Sequence, residues 1–262
     1  MGLIKDLLTK TIAQLTNITN AAYPGDVSGT DANKEYFEGN VHPYLKDVGK
    51  YINATNIFYV SPAYADMEDP CFETLADAHT ASTGSSASNR RLIKLRPGTY
   101  SDPLSLDKSG YIIVAGEDRS SCQITGTVEI TAGVYIFYNC HFEGNITISG
   151  GVAVFINCSQ KTGNTALSSG ATLIINNSPY WGYVTANDDD NYLYLEDIKG
   201  MAKNGSSQSI YLDSSVTAGD YTFDDVAMQG TFTNDGSIAI GTGTGEIQVS
   251  GLKPNRRARP EY

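Results

Sequence analysis

The chain has 262 residues, enough for one domain with a real core plus an appendage. Its 26 Gly and 17 Tyr, with many Thr, Ser and Asn and few Lys and Glu, favour strands and tight turns over helices. The formal net charge is -11, and the last ten residues carry Lys253, Arg256, Arg257 and Arg259 against Glu261 alone, which leaves about -14 on the rest. Such a body repels nucleic acid and anionic membrane surfaces, and no apolar run approaches the ~20 residues of a membrane span.

Residues 1–22 are the one long helical candidate. Met1, Ile4, Leu8, Thr11, Leu15, Ile18 and Ala22 follow an alternating four-three spacing, a heptad seam of about three repeats. A helix of this length is marginal alone and must bury its stripe, either on its own domain or, through Leu8 and Leu15, in a bundle or partner. Its charged start does not form a convincing secretion signal. Tyr23-Pro-Gly-Asp-Val-Ser-Gly29 ends it, and 23–56 reads as an irregular connector.

From Ile57 the pattern changes to short strands. Ile57-Phe-Tyr-Val60 reads as a strand and the stretch near 72–81 as a short amphipathic helix. Arg91-Leu-Ile-Lys-Leu95, Leu104-Ser-Leu106 and Tyr111-Ile-Ile-Val114 follow. Residues 122–176 then contain one sentence written three times. Cys122 to Asn139 is followed without a gap by Cys140 to Asn157, so that Gly126, Ile130, Gly133, Val134, Phe137 and Asn139 recur as Gly144, Ile148, Gly151, Val152, Phe155 and Asn157. The third copy, with one inserted residue, runs from Cys158 through Gly170, Ala171 and Leu173 to Asn176.

A fixed period of eighteen, made of short strands and glycines, is the signature of a solenoid. Leu104, Leu106 and Gly110 take the places of Val128, Ile130 and Gly133, and Phe232 later takes that of Ile146. The leucine-rich spacing is absent, so the fold class expected is all-β: a right-handed, single-stranded parallel β-helix of roughly eight rungs with an N-terminal α-helical appendage. The expected organisation is helix 1–22, connector 23–56, β-helix 57–252 and basic tail 253–262.

The corners follow from residue type: Gly133 and Gly151 permit positive φ at one, and Asn139, Asn157 and Asn176 accept the left-handed conformation at another. Cys122, Cys140 and Cys158 share one repeat position. Stacked one rung apart, at ~4.8 Å, they fall within disulfide range, yet parallel stacking rarely gives the required dihedral. Buried free thiols are therefore expected, in keeping with a reducing cytosol. The sequon Asn145-Ile-Thr147 then reads as chance.

Alternation within the repeat assigns Val134, Ile136 and Tyr138, and their equivalents Val152, Val154 and Ile156, to the interior. Tyr135, Phe137, Phe155 and Ile174 would then point outward, where a one-sided sheet is polar. Such a stripe predicts a covered face, by neighbouring copies, a partner or the 23–56 connector.

Phe58-Tyr-Val-Ser61, Phe72-Glu-Thr-Leu-Ala-Asp-Ala78, Ile93-Lys-Leu-Arg-Pro-Gly-Thr-Tyr100 and Ile112-Ile-Val-Ala-Gly-Glu117 together resemble the opening of the pectin-lyase-like right-handed β-helix proteins, closest to the pectin methylesterase branch. The resemblance covers 57 to about 177 and implies a helix capping the first coil. The Gln-Ala-Val, Asp-Phe-Ile-Phe-Gly and Gly-Arg-Pro-Trp segments that supply that branch's chemistry are missing, so it implies no catalytic residue here, and no cofactor is expected. Asp188, Asp189 and Asp190 are weak calcium candidates, without the Gly and distal Glu of an EF-hand loop. Trp181 and Tyr183 are candidates for stacking against a sugar.

A compact β-helix with a helical N-terminal segment and a basic C-terminal tail also resembles the small β-helical proteins of bacteriophage particles. That resemblance implies a non-enzymatic homotrimer, made in the host cytoplasm and placed on the virion surface as a capsid decoration or short spike. Helix 1–22, or the tail with Arg256 and Arg257, would attach it to a capsid or tail protein. The alternative is a tailspike-type protein that binds or cleaves bacterial surface polysaccharide.

Overall fold

The computed structural model describes residues 57–64, 70–86, 89–240 and 247–254. The helix expected over 1–22 with Leu8 and Leu15, the 23–56 connector, and Arg256 and Arg257 of the tail lie outside the described residues.

The chain from Ile57 onward coils into an all-β parallel solenoid of about seven turns, consistent with a right-handed β-helix and slightly shorter than the eight rungs expected. Its strands stack into three parallel sheets. Sheet 1 contains β1 (Ile57–Val60), β3 (Arg91–Leu95), β6 (Tyr111–Gly116), β9 (Val134–Tyr138), β12 (Val152–Ile156), β15 (Thr172–Ser178), β17 (Asn191–Met201), β19 (Gly219–Met228) and β21 (Ile247–Val249) in spatial order, with β2 (Cys71–Phe72) outside β1 and β22 (Leu252–Pro254) on β19. Sheet 2 stacks β4 (Gly98–Tyr100), β7 (Cys122–Ile124), β10 (His141–Phe142) and β13 (Ser159–Gln160). Sheet 3 runs from β5 (Leu104–Leu106) through β8 (Val128–Ile130), β11 (Ile146–Ile148), β14 (Asn164–Leu167), β16 (Tyr183–Ala186) and β18 (Gln208–Leu212) to β20 (Thr231–Asn234).

The period of eighteen is structural register: Val134 pairs with Val152, Phe137 with Phe155 and Val128 with Ile146. The upstream alignment holds as well, with Leu104 on Val128 and Leu106 on Ile130. At the third copy the register moves one residue beyond the sequence alignment. Thr172, not Ala171, pairs with Val152, and Ile174 pairs with Val154. The corner residue that matches Asn139 and Asn157, both at φ 53, is therefore Asn177 at φ 52 rather than Asn176. Asp197 and Asp225 continue this left-handed column.

The second corner needs glycine for two reasons. Gly133, Gly151 and Gly170 all have φ near +70°, and a Cβ on Gly151 would sit 2.4 Å from the Gly133 carbonyl oxygen.

A short helix closes the first coil. Helix α1 (Leu75–Ala81) is capped by Thr74, whose hydroxyl accepts the Asp77 N–H at 3.1 Å, while Phe72, expected inside the helix, lies in β2. Leu75, Ala78 and His79 are buried on its inner side. The core is a continuous apolar filling along the solenoid axis, and Cys122, Cys140 and Cys158 contribute buried free thiols to it. Cys158 beside it and burial hold the Cys140 thiol well above its ordinary value, and all three buried sulfurs pack as small hydrophobes.

Candidate functional site

Sheet 1 corrects the expected sidedness of the repeat. Tyr135 and Phe137 are 0% exposed and face the core, as does Phe155, whereas Val134, Ile136 and Tyr138 are half-buried on the outside. The physical reason is aromatic stacking along the axis. Phe137 and Phe155 stack one rung apart with centroids at 5.0 Å and an interplanar angle of 8°, and Phe142 meets both edge-on. Three rings in that arrangement fill the interior more completely than the branched aliphatics of the other column would. Of the four outward residues expected, Ile174 alone keeps its place, half-buried on the outer face.

The outer face is nevertheless apolar, built from different residues. Register carries one outward column from Ile57 through Leu92, Ile113, Ile136, Val154 and Ile174 to Tyr194. That is seven rungs in succession, a stripe ~29 Å long at the usual strand spacing. Beyond Tyr194 the column continues as Thr222 and Gln248. The flanking columns change in the same way: Tyr111, Val134 and Val152 give way to Thr172, Tyr192 and Asp220, and Tyr138 and Ile156 to Asn176, Glu196 and Asp224. Leu92 is 7% exposed yet stands outside the core cluster. The column that leads to Tyr138 begins with Tyr59, the exposed Lys94 and Ala115, so the face passes from an apolar centre flanked by one lysine at the first rungs to acidic at the last.

The sugar-stacking candidate Trp181 is 0% exposed. Its ring packs 5.0 Å from Phe155 and its indole N–H donates to Thr165 Oγ1 at 3.1 Å, so it cannot meet a ligand. The cause is the Pro179-Tyr-Trp-Gly turn, which brings Trp181 beside Met201 and directs its ring into the coil. Tyr183 is half-buried at the start of β16. Among the described residues the exposed aromatic is Tyr192, beside Tyr194 on the outer face of β17.

The acidic run is spent on the turn that it forms. Asp189 accepts the backbone N–H groups of Thr217 and Ala218 and the Thr217 hydroxyl, and the Thr217 amide holds its carboxyl below the ordinary range. Asp188 accepts the amides of Ser169 and Asp189, and Asp190 takes a left-handed φ of 60°. Among the described residues no group of three or more His, Cys, Asp or Glu side chains could hold a metal ion.

A polar cleft of about 250 Å³ lies beside the cap, lined by Glu73, Leu75, Tyr100 and Asp102 among others. The Tyr100 hydroxyl is committed to the carbonyls of Val60 and Arg96.

No family model matches the chain, and neither the curated proteins nor the solved structures contain a significant match. The resemblance to the pectin-lyase-like proteins thus stands on the parallel β-solenoid alone.

Proposed function

We propose that this protein is a non-enzymatic structural component of a bacteriophage particle, a homotrimeric capsid decoration or short spike, assembled through the outer face of sheet 1. One observation carries this reading: the outward column is apolar over seven rungs, from Ile57 to Tyr194. An antiparallel or solenoid sheet with one solvated face alternates apolar and polar residues, and a contiguous apolar stripe on the solvent side marks a contact surface. Association of three copies removes Ile113, Ile136, Val154 and Ile174 from water together. The placement in a virion rests on the architectural likeness of small phage β-helices, and many functions share this fold.

The test is the mass of the full chain in solution. The wild type is expected to associate in threes at micromolar concentration, and Ile136→Lys with Val154→Lys to lose that threefold association while staying folded. A wild type that stays monomeric overturns assembly; absence of the chain from purified particles overturns the virion assignment. Tyr192, 38% exposed beside Tyr194, favours a second reading as a binder of bacterial surface polysaccharide. Glycan-array binding that disappears in Tyr192→Ala would establish it.

A further inference from the structure

The cap covers the first coil unevenly. β2 pairs with β1 and closes the edge of sheet 1, while α1 packs mainly against β1, β2, β3 and β5. β4, the first strand of sheet 2, pairs with β7 alone among the described residues. The Gly98 N–H donates to the Ser121 carbonyl and the Tyr100 carbonyl accepts from Thr125, so in this parallel ladder the backbone groups of the intervening Thr99 turn away from β7. They form no bond among the described residues, and Thr99 is exposed. A strand edge in this state accepts another chain.

Thr99 also lines the polar cleft of about 250 Å³ beside the cap. The buried Leu75 and Ile124 give that cleft an apolar floor, and Glu73, Ser101 and Asp102 stand exposed around it. Neither the Glu73 nor the Asp102 carboxylate has an ion-pair or hydrogen-bond partner among the described residues, and no described lysine or arginine lines the cleft. A strand edge, an apolar floor and two carboxylates without a cation meet in one place.

We propose that the cleft takes an extended basic segment of a partner protein, which adds to β4 at Thr99 and places a lysine or arginine head beside Glu73 and Asp102. In this mode of recognition main-chain bonds to an open edge supply affinity, and the side-chain site beside the edge supplies selectivity. A lysine or arginine satisfies both halves of that site, because its methylene stem lies on apolar surface while its charged head stays with polar groups and water. A metal ion would leave the floor and the edge unused, and among the described residues no three His, Cys, Asp or Glu side chains are grouped to hold one. The formal charge of -11 adds long-range attraction for a basic partner. The site belongs to sheet 2 and the cap, so it neither uses nor needs the lateral contact proposed for sheet 1.

The test is a titration of the full chain into a peptide of sequence Thr-Val-Lys-Val-Thr, amidated at its C-terminus, fluorescently labelled at its N-terminus and followed by anisotropy at low salt. Saturable binding is expected. It should weaken about tenfold or more in Glu73→Gln with Asp102→Asn, and equally when norleucine replaces the peptide lysine. N-methylation of the two valine amides should weaken it by a similar factor, because the edge then loses its donors. Both carboxylates are exposed, so their double variant should keep the wild-type circular dichroism spectrum. Ile136→Lys with Val154→Lys should bind the peptide as the wild type does, which separates failure here from failure of the trimer. No binding of the lysine peptide, or an affinity that the double variant leaves unchanged, overturns the proposal. So does equal affinity of the N-methylated peptide, or displacement of the lysine peptide by calcium chloride but not by sodium chloride at the same ionic strength.

Discussion

The inner and outer faces of sheet 1 are made by alternate residues of the same strands, and in the middle rungs both are apolar. Inside β9 and β12 stand Tyr135, Phe137, Ala153 and Phe155, and outside stand Val134, Ile136, Val152 and Val154. The inner set is fully enclosed and stacked, while the outer set is half-buried. Further along, the faces separate chemically: Tyr221 and Phe223 inside β19 face away from Asp220, Thr222 and Asp224. Hydrophobicity alone therefore does not mark the core of this solenoid. Stacked shape marks it, and the surplus of apolar residues outside marks a surface to be covered.

The largest expected effect would break that distinction if it failed. Phe155 contacts Phe137, Phe142 and Trp181, so Phe155→Ala opens a cavity in a four-ring cluster. The expected cost is about 3–5 kcal/mol. Measured by urea denaturation in the Ile136→Lys background, which removes the proposed lateral contact, Val154→Thr should cost about 1 kcal/mol or less. Equal costs at Phe155 and Val154 would mean that the two faces do not differ.

The sequence showed the solenoid plainly and its sidedness poorly. Period eighteen, the glycines at 133 and 151 and the asparagines at 139 and 157 locate every turn of the regular region, because each residue type answers a backbone need that recurs in register. Which column faced inward could not be read from β9 and β12, where alternation separates apolar from apolar. The informative rungs were downstream. In β15, β17 and β19 the outer positions Asn176, Glu196 and Asp224 are polar, and propagating their phase upstream through the register places Phe137 and Phe155 inside. That route required aligning Asn177 with Asn157, one residue past the apparent match. Trp181 was misplaced for a related reason: an aromatic beside an acidic loop looks solvent-facing in one dimension, whereas its rung position points it at Phe155.

The corner column gives a smaller and sharper test of how phase is set. Asn157 holds φ at 53°, donates to Asn139 Oδ1 at 2.7 Å and accepts from Arg119 at 2.8 Å. Asn157→Ala loses both bonds and strains a left-handed position, for about 2 kcal/mol. Asn157→Gly loses the bonds but keeps the backbone conformation, for about 1 kcal/mol. If the two variants were equally stable in thermal denaturation, the left-handed corner would carry no strain and the asparagine would act through its side chain alone.

The smallest effect concerns the polar group of an inner residue. The Tyr135 hydroxyl lies beside His79 and accepts the Lys108 backbone N–H at 3.1 Å, and burial pushes its ionisation up to about 12. Burial of His79, reinforced by the Lys108 ammonium and opposed by Asp107, lowers its pKa to about 4 from 6.5. The folded state thus prefers neutral imidazole, and as pH falls from 6.5 towards 4 the unfolded chain binds the proton first. Stability should therefore fall with pH across that window, by about 1–2 kcal/mol once partial solvent screening is allowed for. Carboxylates titrate in the same range, so the quantity to follow is the difference between wild type and His79→Gln, in which the hydrogen bond to Tyr135 can persist without a titrating group. That difference should be constant above pH 7 and shrink steadily below 6.5, and a flat difference would show that cap and inner face are not linked through this proton.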